Sequence, residues 1–368
     1  MAAKKLKVAI VHDWLIGGGA ELVVEQLHEM YPDAPIYTSY CTPEWRKRLD
    51  NKVVTSWLQH LGKIRKFIPL LRIWWFTRLN FDDYDLVISS SGAEAKGIKT
   101  KTLHINYCHA PTHYYWSRYS QYMSQPGFGK LDWLARIGLK IFVAPLRKWD
   151  YKAAQRPDYI IANSSHIQAD IKKYYGRDSV VIYPPVYFER FQKHENQNLP
   201  RKGFVISGRQ TPYKRFDLAI QACTKLSLPL KVIGDGPDNT RLRSLAGSSI
   251  EFLGRAPDDE LERVFASSEA LIFPGLDDFG ITPVEAIASG TPVIAYKAGG
   301  ALDYIKPGVT GEFFTQPTVE SLCKSLDSFN GSSYNHKEIR AFAKNFTPET
   351  FQRNMSAYLQ TCEVELSL

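Results

Sequence analysis

Two cations in the segment FVISGRQTPYKRFD have a spacing that could do chemistry. Arg209 follows Gly208 at the end of an apolar run, and Lys214 lies five residues on, where Thr211 and Pro212 read as the cap and first turn of a helix. Both can then point at one place. Departure of a nucleoside diphosphate leaves negative charge on its phosphates, and an Arg fork with a Lys ammonium is a fixed donor set for that charge. The same residues also read as a solvated basic turn. A second segment, FPGLDDFGITPVEAIASGTPVIAY, carries Asp277 and Asp278 in a loop, then Phe279 and Gly280, then a helix opening at Thr282-Pro283. Glu285 stands eight residues after Asp277, one acid in the loop and one in the first helical turn. Thr282-x-x-Glu285 is equally a capping box, and the aspartates equally a solvated loop. Gly280 and Gly290 would let a ligand lie close to the backbone.

Two further features precede helices or follow strands. Gly17, Gly18 and Gly19 in HDWLIGGGAE lie between a strand and a helix starting near Ala20, where backbone amides and the helix dipole favour an anion. They lack dinucleotide-fold and P-loop spacing, so a tight turn is the other reading. His109, in YCHAP, follows a strand and is either a ligand contact or a hydrogen-bonded structural histidine.

The elements that position these residues alternate. Apolar runs at Leu6–Val11, Leu86–Ser90, Thr102–Tyr107, Tyr159–Ala162 and Val180–Tyr183 form one set of strands, with Glu21–Met30 and Leu131–Ala154 amphipathic between them. A second set is Gly203–Ser207, Leu230–Gly234, Ile250–Leu253, Ala270–Phe273 and Pro292–Ala295, with helices at Phe216–Leu226, Asp258–Ala266 and Val284–Ser289. Such alternation implies an α/β class of two doubly wound, Rossmann-like domains with a cleft between them. The expected boundaries are 1–190 and 200–345, joined by Pro184-Pro185 and the polar His194–Lys202, with 347–368 packing back on the first domain.

Length and composition agree with two globular cores: 368 residues, 44% hydrophobic and 23% charged. Residues 1–200 hold 28 Lys and Arg against 18 Asp and Glu, and the remainder 18 against 20, so the net charge of +8 belongs to the first half. Within it, Asn51 to Phe81 carries Lys52, Lys63, Arg65, Lys66, Arg72 and Arg78 with no acid, interleaved with Trp57, Phe67, Trp74, Trp75, Phe76 and Phe81. That composition suits an anionic membrane surface, a plain core with solvated lysines, or single-stranded nucleic acid. No apolar run reaches the roughly 18–20 residues of a bilayer span, and the start shows no signal-peptide pattern. Five scattered cysteines suggest neither disulfides nor zinc. The expectation is a cytoplasmic protein, peripheral on the inner face of the membrane.

HDWLIGGGAE, YCHAPTHYYW, ANSSHIQADIKKYYGRDSVVIYPPV, SGRQTPYKR, IGDGP, FLGR and FPGLDDFGITPVEAIASGTPVIAYKAGG together resemble retaining glycosyltransferases of family 4 with the GT-B fold, nearest the bacterial mannosyltransferase-like group of lipopolysaccharide and exopolysaccharide synthesis. The resemblance implies that Arg209 and Lys214 bind the donor diphosphate, Gly18 and Gly19 lie near phosphates and acceptor, and His109 lies near the donor sugar. It implies that Asp277, where the family has Glu, contacts the sugar, and Glu285 the ribose, with Phe279, Gly280 and Ile281 in the same motif. Gly234, Asp235, Gly236 and Arg255 fall where the family holds the base. Tyr187 stands where the family has Asp, and Asp303 where it has Glu.

The implied reaction moves a hexose, mannose from GDP-mannose by group resemblance, to a lipid-linked saccharide with retention and without metal, cofactor or nucleic acid. An epimerase or phosphorylase of similar fold would also bind such a donor. A non-enzymatic membrane or nucleic-acid binder would explain the basic half and nothing about Arg209, Lys214 and Glu285.

Overall fold

A computed structural model describes residues 6–61, 69–124, 132–191 and 200–367. Lys63, Arg65, Lys66, Phe67 and most of the linker segment lie outside the described residues. The chain divides into two compact units. One comprises the residues up to Pro184 together with Phe351 onward, and the other is Pro185–Thr350.

The first unit is a parallel sheet of β1 (Val8–His12), β2 (Ile36–Thr38), β3 (Val53–Thr55), β4 (Leu86–Ser91), β5 (Leu103–Cys108), β6 (Tyr159–Ala162) and β7 (Val180–Val181), in the order β3-β2-β1-β4-β5-β6-β7. Helices α1 (Gly19–Met30), α2 (Pro43–Arg48), α3 (Pro69–Phe76), α4 (Tyr119–Ser124), α5 (Asp132–Ala154) and α6 (Ser165–Tyr175) connect and cover it. β1 shows why the run is apolar throughout: all five residues are buried, Val8 and Ile10 packing on one face, Ala9 and Val11 on the other. The first of these faces is closed by Phe351, Met355 and Leu359 of the carboxy-terminal helix Pro348–Ser367. Chain order reverses between β1 and β4, which pair in register from Val8↔Leu86 to His12↔Ser90.

The second unit repeats the plan with β8 (Phe204–Ser207), β9 (Leu230–Ile233), β10 (Ile250–Gly254), β11 (Ala270–Phe273), β12 (Val293–Tyr296) and β13 (Gly311–Phe314), all parallel, in the order β10-β9-β8-β11-β12-β13. Its helices are α7 (Phe216–Lys225), α8 (Asn239–Ser244), α9 (Asp258–Ala266), α10 (Ile281–Ala288), α11 (Ala301–Tyr304), α12 (Val319–Ser328) and α13 (His336–Ala343). Here the order reverses between β8 and β11. In each unit the loops leaving those two central strands border the crevice that a doubly wound sheet offers a ligand.

The strands β2, β3 and β13 were not expected from the sequence. The first two are three residues long, too short for a period-2 pattern to register. β3 lies inside the basic and aromatic stretch Asn51–Phe81, whose described residues include this strand, a 3-10 turn at Trp57–His60 and α3.

Candidate active site

The loop after β8 is built differently from the expected capped helix. Pro212–Lys214 is a single 3-10 turn, Thr211 makes no side-chain cap, and α7 begins only at Phe216, after Arg215 at φ 51°. Arg215, in the αL region, ends the short turn and separates it from α7. Arg209 is exposed at the strand end; its carbonyl accepts from Thr211 Oγ1 at 3.4 Å, and its guanidinium makes no hydrogen bond or ion pair to a described residue. Lys214 is half-buried and its Nζ donates to Asp277 Oδ2 at 2.8 Å, joining the β8 loop to the β11 loop across the order reversal. The side chains are 18% and 13% exposed, so the pair stands at the mouth of the sheet and not inside it.

Gln210 holds this loop in place and was not singled out by sequence. Its buried amide donates to the Gly234 carbonyl at 2.9 Å and accepts from Asn239 Nδ2 at 2.7 Å, while its main chain pairs with Asp235 and Asp238. A Gln between Arg and Thr carries no sequence signal for such a clamp. The loops so tied bring Gly234 against Gly208: a Cβ on Gly234 would lie 2.0 Å from the Gly208 carbonyl oxygen. Gly236 packs similarly on Gln210, Asp235 is exposed, and Arg255 is exposed just past β10.

The acid loop turns at Gly280, which has φ 91° and serves as N-cap of α10. The capping box is thus not formed: Thr282 lies inside the helix, and no side chain caps it. Nor do Gly280 and Gly290 make room for a ligand. A Cβ on Gly280 would lie 2.6 Å from the Tyr304 hydroxyl, and one on Gly290 2.8 Å from the His336 carbonyl, so both make room for the protein itself. Phe279 is buried, its ring 5.6 Å from Tyr304 and 5.7 Å from Phe346, leaving main chain at that position for a ligand. Ile281 opens α10 half-buried. Glu285 is half-buried with no side-chain hydrogen bond among the described residues, and burial pushes its carboxyl up to about 7, Asp258 adding and Arg190 opposing.

In the first unit, the glycine loop is satisfied internally. Gly17 has φ 106°, Gly18 precedes α1, and Glu21 Oε1 accepts from the Ile16 and Gly17 amides at 3.1 and 2.9 Å. Gly18 and Gly19 are exposed or half-exposed. His109 Nε2 lies 2.7 Å from Ser90 Oγ, and His12 Nδ1 2.6 Å from the Ser90 carbonyl, so the Nδ1 of His12 carries the proton. Asp13, unremarked in the sequence, is buried and takes four donors from the β4 loop: Ser91 Oγ at 2.9 Å, the Gly92 and Ala93 amides at 3.0 Å and the Ala95 amide at 2.7 Å.

The basic stretch divides. Arg72 is buried in a bidentate pair with Glu94 at 2.7 and 3.1 Å, and Phe76 and Phe81 are core, whereas Trp57, Leu70 and Trp74 are exposed. Among the described residues of the stretch, Arg72, Phe76 and Phe81 therefore belong to the interior, and Trp57, Leu70 and Trp74 to the surface. Among the described residues no three His, Cys, Asp or Glu side chains are grouped as a metal site needs.

Two families match this chain. Glycosyltransferase Family 4 matches residues 17–190, and Glycosyl transferases group 1 matches 187–346. An exopolysaccharide phosphotransferase of Streptomyces coelicolor is 33% identical over 36% of the chain and 15% of its own length. A GDP-mannose-dependent alpha-mannosyltransferase of Mycolicibacterium smegmatis is 35% identical over 30% of the chain and 29% of its own length. The chain spans less than a third of the first curated relatives it matches. Anabaena HepE in complex with UDP-glucose matches in fold, with TM-score 0.68, 18% identity and coverage of 97% of this chain and 100% of that one.

Proposed function

We propose that this family 4-like chain of GT-B type moves a hexose from a sugar nucleotide to a saccharide hydroxyl, with retention at the anomeric carbon. The observation that carries the reading is the placement of Arg209, Lys214 and Asp277 on the two loops that flank the order reversal of the second sheet. Arg209 has a free fork for the donor diphosphate. Lys214, whose Nζ donates to Asp277, puts an ammonium at the same loop mouth, where a diphosphate can compete for it. In the reaction the bond from the anomeric carbon to the phosphate oxygen breaks, and the acceptor oxygen bonds to the same face. The acceptor proton passes to the departing phosphate oxygen, and the two cations stabilise the charge left on the diphosphate. No protein nucleophile is required.

Asp277, one methylene shorter than Glu, reaches Lys214 and so orients the ammonium, and is proposed to contact the donor sugar. Glu285 is proposed to take the ribose, and Gly234, Asp235, Gly236 and Arg255 the base. Gly18 and Gly19 are proposed to lie near the phosphates and acceptor, and His109 near the donor sugar. GDP-mannose is the first donor to test because of the mannosyltransferase relative, and UDP-glucose the second because HepE was solved with it. The acceptor is proposed to be a lipid-linked saccharide at an anionic membrane surface in bacterial cell-surface polysaccharide synthesis, reached from the cytoplasmic side. No metal or cofactor is assigned a step.

Incubation of each donor with and without a saccharide acceptor tests this. Glycosidic product with retained configuration by NMR, formed only with acceptor, is the expected result. Conversion of the donor without acceptor would assign the fold to an epimerase, and phosphate-dependent cleavage to a phosphorylase.

A further inference from the structure

We propose that the outer face of α5 docks this protein on an anionic lipid bilayer. The helix runs for 23 residues, about 34 Å at 1.5 Å per residue, and is held to the first unit by one side only. Val143, Leu146, Asp150, Ala153 and Ala154 form its buried stripe, all in its carboxy-terminal half. Asp150 anchors that stripe, its carboxylate taking Lys96, Thr112, Trp116 and Tyr175 at 2.6–2.8 Å. The amino-terminal half is held on the same side, where the Arg136 guanidinium donates to the Met123 and Ser124 carbonyls at the end of α4, each at 3.0 Å.

On the opposite arc, at 100° per residue, stand Trp133, Leu134, Ile137, Ile141, Phe142 and Tyr151, between 46% and 61% exposed. Single apolar residues on a surface need no explanation, but five within Trp133–Phe142 of one helix, with Tyr151 further along, are more than scatter. The charges that share the arc are Lys140, Lys148 and Lys152, all exposed; Asp132 and Asp150 lie toward the buried side. An apolar stripe edged only by cations is complementary to a surface whose interior is hydrocarbon and whose rim is anionic. A second copy of this chain would set lysines against lysines, and a nucleic acid would leave Ile137, Ile141 and Phe142 with nothing apolar to cover them. No helix among the described residues is long and apolar enough to cross a membrane, so α5 lies along the bilayer rather than through it. This names the surface for the membrane-borne acceptor proposed above and rests on that reading for its purpose, although binding itself needs neither donor nor acceptor.

The test is sedimentation with vesicles of phosphatidylglycerol and phosphatidylcholine, without sugar nucleotide or saccharide. Wild-type protein should bind, and binding should weaken as salt rises. The triple change Ile137→Ser, Ile141→Ser and Phe142→Ser should weaken it at least about tenfold at both low and high salt, because it removes apolar contact that salt does not screen. Lys140→Ser with Lys148→Ser and Lys152→Ser should weaken it at low salt and have little effect at high salt. Lys52→Ser with Arg78→Ser, in the Asn51–Phe81 stretch, should leave binding within about twofold of wild type. Exposed positions should leave the melting temperature unchanged, which separates docking from folding. Absence of wild-type binding, wild-type binding by the apolar triple, or a larger loss from Lys52→Ser with Arg78→Ser would overturn the proposal. Loss of dimer in analytical ultracentrifugation with vesicle binding intact would give the face to a second copy instead. Activity on a short soluble acceptor is read separately, so failure of docking and failure of the transferase reading are distinguishable.

Discussion

The two sheets reverse strand order at the same topological point, yet they use acid there in opposite ways. At the β1/β4 reversal Asp13 is buried and its carboxylate is consumed by four donors of one loop. At the β8/β11 reversal Asp277 is at the mouth and shares a single ammonium, while the neighbouring Arg209 is exposed. A carboxylate saturated by backbone amides is part of the scaffold and has nothing left for a ligand. One that holds a Lys at the surface is exchangeable: phosphate can compete for the same ammonium. The first arrangement shapes a loop, and the second leaves charge available for chemistry.

The largest effect that would break this comparison is at Asp13. Asp13→Ala strands the Ser91 hydroxyl and the Gly92 and Ala95 amides, while the Ala93 amide keeps only Ser91 Oγ, and should cost about 4 kcal/mol or more in urea unfolding. A loss below about 1 kcal/mol would mean that water serves these donors and that the two acids are alike. Arg209→Ala and Lys214→Ala should each lower turnover about a hundredfold or more with unfolding unchanged, since each removes stabilisation of leaving-group charge. Asp277→Asn keeps a hydrogen-bond acceptor for Lys214 but removes charge, and should lower turnover about tenfold with unfolding unaffected. Stability lost at Asp277 to the extent expected at Asp13 would show that it too is scaffold.

The smallest effect sharpens the second site through pH. Because the Glu285 carboxyl is pushed up to about 7 in the fold, the native state keeps a proton that the unfolded chain has released. Its contribution is therefore favourable at low pH and declines as pH rises from about 4.5 to about 7, by roughly 1–3 kcal/mol. Glu285→Gln should flatten that slope, be no less stable than wild type at pH 8, and bind nucleotide more weakly. A fall in melting temperature with nucleotide affinity unchanged would make Glu285 a structural residue of α10 and not a ribose contact.

Much of this was legible in the sequence because it rests on local signals. Buried parallel strands are continuous apolar runs, so β1, β4, β6 and β11 could be found within a residue or two. Arg209, Lys214, Asp277 and Glu285 stood out by type and spacing. What was not legible depends on contacts distant in sequence. Nothing near Asp13 tells that its acceptors will be filled from residues 91–95, and nothing near Gln210 tells that its amide will clamp the β9 loop. Arg72 read as a surface base because its partner Glu94 lies 22 residues away. The helix at Phe216 was legible, but the αL residue at Arg215 that separates it from the Pro212–Lys214 turn was not, and Lys214 there packs on Gly275 and bonds Asp277. Local propensity gives no account of it.

The central claim, that the β8/β11 loops hold a nucleoside diphosphate through Arg209 and Lys214, is tested most directly by thermal shift with GDP, UDP and ADP on wild-type protein and on the Arg209→Ala, Lys214→Ala double variant. A ligand a hundredfold above its dissociation constant stabilises the native state by about 2.7 kcal/mol. One of the three nucleotides should raise the wild-type melting temperature, and the double variant should lose most of that rise while melting normally without ligand. A wild-type shift that persists undiminished in the double variant, or no shift with any of the three, would contradict it.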